Sequence, residues 1–268
     1  MLDSLQPGDA TEAAALSAAF GWPHRPADWD LFLQLGQGVA CRRNGRLVGT
    51  AMWFALDDSH ASISLVQVAP DMQGHGLGRR LMRAVMQDAA GRSLKLHATL
   101  EGAGLYAALG FTAGGIVEQW QGHADIPPCA ATGIRAATPE DRAAISRLDQ
   151  AATGLDRASV LDTVMREAVV AVAGLPGAVT GFVVRRLFGR GALLGPLVAP
   201  DEATAIALAS FVAEPGFVRM ELPGTPLKAW ATAHGLACVG QVQTMTTGHW
   251  PAPTAPHTRI ALASQAFG

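Results

Sequence analysis

Val66-Gln67-Val68-Ala69-Pro70-Asp71-Met72-Gln73-Gly74-His75-Gly76-Leu77-Gly78-Arg79-Arg80-Leu81 reads as a strand, a turn, a glycine-rich loop and the opening of a helix. Gly74, Gly76 and Gly78 strip side chains from the loop, so backbone N–H groups can converge on one point. The dipole of the helix that follows adds positive potential there. Such a loop makes an anion site, most naturally for a pyrophosphate, with Arg79 and Arg80 at its edge. The plainer alternative is a glycine-rich turn leading into a solvated basic helix face. Two familiar phosphate loops do not match. The stretch holds no G-x-x-x-x-G-K-[ST], and its spacing is G-x-G-x-G rather than the dinucleotide-binding G-x-G-x-x-G.

Outward from the loop, the pattern is mixed α/β. Leu81, Met82, Val85, Met86 and Ala89 form one apolar stripe, which predicts a helix over Gly78–Ala90. Upstream, Val39–Arg43 and Arg46–Phe54 flank Asn44-Gly45, a hairpin turn signal. Strands are predicted at Ser62–Val68, Leu94–Leu100 and Ile116–Trp120, and helices at Ala10–Phe20 and Gly104–Leu109. The Asp125–Gly133 segment contains Pro127-Pro128 and reads as a linker. Beyond it the pattern restarts. A helix is predicted to open at Ile134–Pro139, and strands at Ala168–Val172 and Val179–Arg185. Val-Ala-Pro-Asp occurs at Val68–Asp71 and again at Val198–Asp201, with Gly49 and Gly181, and Gly110 and Gly235, at similar offsets. Three landmarks in the same order point to a duplicated unit. The expected organisation is a first domain over 1–124, a linker over 125–133 and a second domain over 134–268.

Composition narrows the function. The chain has 268 residues, enough for one large or two ordinary domains. Its net charge is −2 and it has no basic cluster, which weighs against nucleic-acid binding. An apolar content of 49% with so little net charge excludes disorder. Cys41, Cys129 and Cys238 are few, far apart and odd in number, so neither a disulfide framework nor a zinc knuckle is read, and a reducing cytoplasm is expected. The histidines lack metal-ligand spacing, and no metal is expected. The longest uncharged apolar run, Ala168–Val184, is broken by Gly174-Leu175-Pro176-Gly177, so no membrane span is read.

V-x-P-x-x-Q-G-x-G-x-G-R, here Val68–Arg79, resembles the acyl-CoA loop of the GNAT superfamily of N-acetyltransferases. A second mark of that family, L-Y-x-x-L-G-F, is matched by Leu105–Phe111, and Tyr106 is the only tyrosine in the chain. Many members carry an Asn where this chain has Thr99. The run Ala98–Tyr106, with Gly21-Trp22-Pro23-His24, Asp28-Trp29 and Gly154-Leu155-Asp156-Arg157, is similar to a two-domain subgroup whose second domain is a reduced GNAT-like fold.

The resemblance implies tandem GNAT-like domains, each a mostly antiparallel mixed sheet flanked by helices. It implies that acetyl-CoA lies between two splayed strands, held by Val66, Gln67, Val68, Gln73, Gly74, His75, Gly76, Leu77, Gly78, Arg79 and Thr99. The Val68 N–H would polarise the thioester carbonyl, and an amine would attack directly. Tyr106 would protonate the departing thiolate, a phenol of pKa about 10 against a thiol of about 8.5. The general base stays open between a polar turn at Asp57, Asp58 and His60 and the strand residue His97. Trp22, His24, Trp53 and Asp156 are the expected substrate contacts, with Arg157 beside Asp156. The second half lacks the glycines and carries Ala231 in place of Tyr106, so its expected role is to cover the acceptor side. The expected partners are a small-molecule amine and, as an option, a second copy of the chain. The competing readings are a non-catalytic acyl-CoA-binding regulatory module and a nucleotide-binding protein using the same loop.

Overall fold

In a computed structural model of the chain, residues 2–126, 131–254 and 256–268 are described. The first half runs β1 (Leu2–Ser4), α1 (Ala10–Ala18), α2 (Pro26–Leu35), β2 (Gln37–Arg43), β3 (Arg46–Ala55), β4 (His60–Val68), α3 (Leu77–Asp88), β5 (Ser93–Ala98), α4 (Leu100–Ala107) and β6 (Thr112–Ala124). The second half repeats that order: β7 (Ile134–Ala136), α5 (Arg142–Thr153), α6 (Ala158–Met165), β8 (Val169–Leu175), β9 (Ala178–Phe188), β10 (Gly191–Ala199), α7 (Glu202–Val212), β11 (Gly216–Leu222), α8 (Lys228–Ala233) and β12 (Ala237–Thr246). One further strand, β13 (Thr258–Ala261), ends the set. The fold is therefore mixed α/β and tandem.

Local chemistry explains most elements. Asn44 and Gly45 take φ of 53° and 81°, the double left-handed turn that a tight hairpin demands. The apolar stripe of α3 buries Leu77, Leu81, Met82 and Val85. The repeat extends to packing. A Cβ on Gly49 would meet Leu81 Cδ1 at 3.0 Å, and one on Gly181 would meet Leu208 Cδ1 at 3.2 Å. Each glycine thus lets the helix that follows the third long strand of its half pack closely on the sheet. Phe111 N–H donates to Tyr106 O at 3.1 Å, and Leu236 N–H to Ala231 O at 2.9 Å, so Ala231 occupies the Tyr106 position.

Two expectations are corrected. Ile134–Ala136 is an edge strand paired with β8, not the start of a helix; the helix begins at Arg142 after a short 3₁₀ turn. The strand predicted over Leu94–Leu100 stops at Ala98, because Thr99 caps α4 by accepting from Gly102 N–H at 3.4 Å. The linker residues 127–130 lie outside the described residues; Ile126, at their edge, is buried.

The sheet is continuous through both halves, in the order β1-β2-β3-β4-β5-β12-β6-β11-β10-β9-β8-β7. The last strand of each half lies in the other half's sheet. β12 pairs with β5, β6 pairs with β11, and β6 and β12 pair with each other antiparallel. Most neighbours are antiparallel; β4–β5 and β10–β11 are parallel.

A buried ion pair inside the second half anchors a residue that packs on the first. Arg157 Nε and Nη2 donate to Asp149 at 2.7 and 2.8 Å, and both side chains are about 99% buried. Its Nη1 donates to the Phe267 carbonyl at 3.1 Å. The Phe267 ring, fully buried, packs on Phe32 and Phe54 of the first half. Arg157→Met would strand the Asp149 carboxylate and should lower unfolding free energy by about 3–5 kcal/mol in urea titrations. A loss below about 1 kcal/mol would contradict this role.

Candidate active site

The β4–β5 pairing runs from His60↔Ser93 to Ile63↔Leu96 and then stops. Just beyond, β4 gains a residue relative to β3, between the pairs Met52↔Ser64 and Thr50↔Gln67, and Leu65 takes a φ of 54°. This bulge bends β4 away from β5. The gap opens into a cavity of about 890 Å³, with Ser64, Val66 and Val68 on one side and Leu96, His97 and Thr99 on the other.

At one end of the cavity lies the glycine loop. Gly74 and Gly76 take φ of 78° and 76°, and a Cβ at either would enter open space. Gly76 precedes α3 and offers no side-chain cap, and the first turn of α3 holds no acidic residue. The first amides of that helix therefore face outward, uncapped. The Gln73 amide donates to Val68 O at 3.0 Å, and His75 Nδ1 sits 2.7 Å from Gln73 O, so both shape the loop.

Tyr106 reaches the cavity from α4. Gly102, one turn before it, makes room for the ring: a Cβ there would stand 2.9 Å from Tyr106 Cε2. Burial pushes the phenol up to about 12. Its hydroxyl has no protein hydrogen-bond partner among the described residues.

The other end is lined from both halves. Trp22, His24 and Phe32 come from the first, and Gln119 from the exchanged strand β6. Phe188, Arg219, Gly240–Val242 and Ser264–Ala266 come from the second. His24 belongs to a closed network around Ser17 Oγ. That oxygen accepts from Trp29 Nε1 at 3.0 Å and from Gln67 Nε2 at 2.8 Å. With both lone pairs used, its own proton goes to His24 Nδ1, 3.1 Å away. His24 is thus held as the Nε2–H tautomer, a donor. Burial and then the nearby Arg219 charge push its pKa down to about 4.

The structure brings together Val66, Val68, Gln73, Gly74, Gly76, Leu77, Gly78, Arg79, Thr99, Tyr106, Trp22 and His24 on this cavity. It separates others. Gln67 points its side chain into the helix-packing core, toward Ser17. Trp53 is buried away from the cavity with Arg92 over its ring at 5.1 Å, and Asp156 is exposed at the start of α6. Neither contacts the site, and Arg157 is committed to Asp149. His60 has both ring nitrogens engaged, with Asp57 at 2.9 Å and the His249 carbonyl at 3.2 Å, outside the cavity. His97 lines the cavity, but burial, with Arg259 and Lys95 adding, pushes its pKa down to about 3. Sequence reasoning missed Phe188, Arg219 and the Gln119, Gln241 and Gln265 amides. The one signal was Phe217-Val218-Arg219-Met220-Glu221-Leu222, two charges at alternate positions of an apolar strand.

The second half closes the equivalent gap. β10 carries a matching irregularity between Leu194 and Leu197, and its pairing with β11 stops at Leu193↔Arg219. There β13 fills the opening, pairing Leu197↔Ala261 and Val198↔Arg259. The helix after β10 is capped by Asp201, which accepts from Thr204 N–H at 2.7 Å.

Comparison with known proteins agrees with this geometry. The profile of the Acetyltransferase (GNAT) family matches residues 12–111, and that of an Acetyltransferase (GNAT) domain matches residues 145–260. The chain belongs to the GNAT acetyltransferases. An uncharacterized N-acetyltransferase of Bacillus subtilis (strain 168), YitH, is 26% identical over 215 residues, covering 76% of this chain and 75% of the relative. A Pyrococcus horikoshii protein described as a candidate acetyltransferase superposes with a TM-score of 0.82 at 18% identity, covering 100% of this chain and 95% of its own. A tandem GNAT protein from the clavulanic acid biosynthesis pathway gives 0.66 at 18%, covering 94% of this chain and 100% of its own. GNAT membership carries acyl transfer in general. Among the described residues, no helix is long and apolar enough to cross a membrane, and no group of three His, Cys, Asp or Glu could hold a metal.

The His24 network makes a direct prediction. Nitrogen-15 NMR should show His24 as the Nε2–H tautomer, without titration between pH 6 and 8. Because its folded pKa lies below the ordinary 6.5, protonation opposes folding, and stability should fall as pH drops from about 6.5 toward 4. A His24 midpoint above pH 6 would contradict the network.

Proposed function

We propose that the chain transfers an acetyl group from acetyl-CoA to the amine of a small molecule, and that only the first half does so. The observation that carries this reading is the convergence of strand gap, uncapped glycine loop and Tyr106 on one cavity. In this reading residues 1–124 are the catalytic half, 125–133 the link and 134–268 the supporting half.

The loop Gln73–Arg79 would hold the pyrophosphate on the free amides at the start of α3. The edges of Val66 and Val68, freed by the bulge, would align the pantetheine, with Thr99 opposite. Acetyl-CoA supplies an activated acyl group. The Val68 N–H would donate to the carbonyl oxygen as negative charge develops there. The C–N bond forms as the C–S bond breaks, and Tyr106 gives its proton to the thiolate. With its pKa raised to about 12, the phenol keeps that proton at neutral pH until a thiolate forms beside it. The same dry surroundings raise the pKa of the thiol too, so the two groups stay close enough for the proton to move as the C–S bond breaks and negative charge gathers on sulfur. Solvent returns the proton to Tyr106.

Among the described residues, none lining the acceptor side is suited to act as a base. His24 Nε2 carries a proton, His97 is buried and weakly basic, and Glu101, exposed, is the one lining carboxylate among the described residues. The amine therefore sheds its proton to water. The same observation favours one second reading, a non-catalytic acyl-CoA-binding module.

Tyr106→Phe separates the two. With an accepted amine and free thiol as readout, kcat should fall about 10²–10⁴-fold while acetyl-CoA affinity changes little. Because the lost interaction belongs to the transition state, kcat/KM should fall with it. Full kcat in the variant would remove Tyr106 as the acid. Tight acetyl-CoA binding with no amine turned over by the wild type would favour the binding module.

A further inference from the structure

Among the described residues, the acceptor end of the cavity holds one more guanidinium than its carboxylates pair directly. Arg186, on β9, and Arg219, on β11, are each about 93% buried. Their guanidinium carbons lie over the Phe188 ring at 5.0 and 5.4 Å. Arg219 donates from Nε (2.9 Å) and from Nη2 to one oxygen of Glu221, Oε1. Among the described residues, Arg186 meets only a neutral acceptor, the Ala263 carbonyl at 3.0 Å, and its buried Nε has no partner. Asp28 is already spent on Arg25 at 2.7 Å and on the Gly189 amide at 3.0 Å. Two guanidiniums therefore share one carboxylate. Burial lowers Arg186 to about 10, which leaves it charged at neutral pH.

A buried cation without a counter-ion is costly unless a ligand supplies one. Arg219 lines the cavity and Arg186 stands behind it. The His24 ring meets Phe188 at 5.5 Å, so its Nε2–H belongs to the same corner. This corner offers a guanidinium edge and an imidazole N–H, both donors, beside apolar walls from Trp22, Phe32 and Phe188. A protonated amine is repelled there; a carboxylate fits both charge and donor count.

We propose that the acceptor is an amine that also carries a carboxylate, bound by Arg219 with His24 Nε2–H as the second donor, so that the amine end faces Val68 and Tyr106. This rests on the acetyl-transfer reading and names its substrate class. Amino acids and short peptides with a free carboxylate have this chemistry; polyamines and aminoglycosides do not.

The test uses matched compounds with the full chain. Amino acids with small, apolar and aromatic side chains are compared with their carboxamides and decarboxylated amines. The acid should exceed its carboxamide in kcat/KM by about 10- to 100-fold, the worth of a charge-assisted hydrogen bond. Arg219→Gln/Glu221→Gln removes both charges together, so no carboxylate is stranded. This variant should raise KM for the acid about 10- to 100-fold, with the carboxamide and acetyl-CoA affinity little changed. Equal use of acid and carboxamide, or equal loss of both in the variant, overturns the proposal.

Calorimetry keeps the test independent of turnover. N-acetylated amino acids are titrated into the CoA-saturated wild type and variant, beside the same compounds as carboxamides. Tighter binding of the acids, lost in the variant, supports carboxylate recognition even if every amine fails to react; that failure then falls on the acetyl-transfer reading alone. Absence of any preference for the acids overturns the proposal.

Discussion

After Ile63 and Leu96, β4 loses its partner on β5, and its backbone from Ser64 to Val68 must satisfy its polar groups elsewhere. Everything around the cavity follows from that parting. The bulge at Leu65 turns the strand, the glycine loop completes the open end, and α4 brings Tyr106 across the gap. In a fully paired sheet the same residues would face a neighbouring strand, and the chain would have no place for an extended ligand.

The second half meets the same constraint differently. Its β10 and β11 part at the matching point, and β13 takes the vacant edge. A Cβ on Gly195 would stand 2.0 Å from the Leu262 carbonyl, which measures how closely the chain after β13 fills the opening. The segment then continues to Ser264–Ala266, which line the cavity of the first half. The exchange of β6 and β12 acts in the same sense, carrying Gln119 and Gln241 to the boundary. One copy of the fold keeps its gap open and the other spends its own on shaping the first.

Local features were legible in the sequence. The Asn44-Gly45 turn, the stripe of α3, the loop glycines and the Leu105–Phe111 motif each depend on a few neighbouring residues. The repeat was legible through Gly49 and Gly181, because the close helix packing at each excludes a side chain. Contacts set by tertiary pairing were not. Ile134–Ala136 carries helix-favouring alanine, yet its edge pairing with β8 overrides that preference. Trp53 and Asp156 stood near plausible chemistry in the sequence, but which face a strand or helix end presents is decided by the sheet. The exchange of last strands left no local mark, so Arg219 was seen only as a charge in an apolar strand.

One gap stays open in a chain of two similar halves. Titration calorimetry of the full chain with acetyl-CoA tests it most directly. One molecule should bind per chain, and that binding should be lost when Gly76→Val sets a branched side chain in the loop and forbids its left-handed turn. Two molecules per chain, or unchanged affinity in the variant, would contradict it.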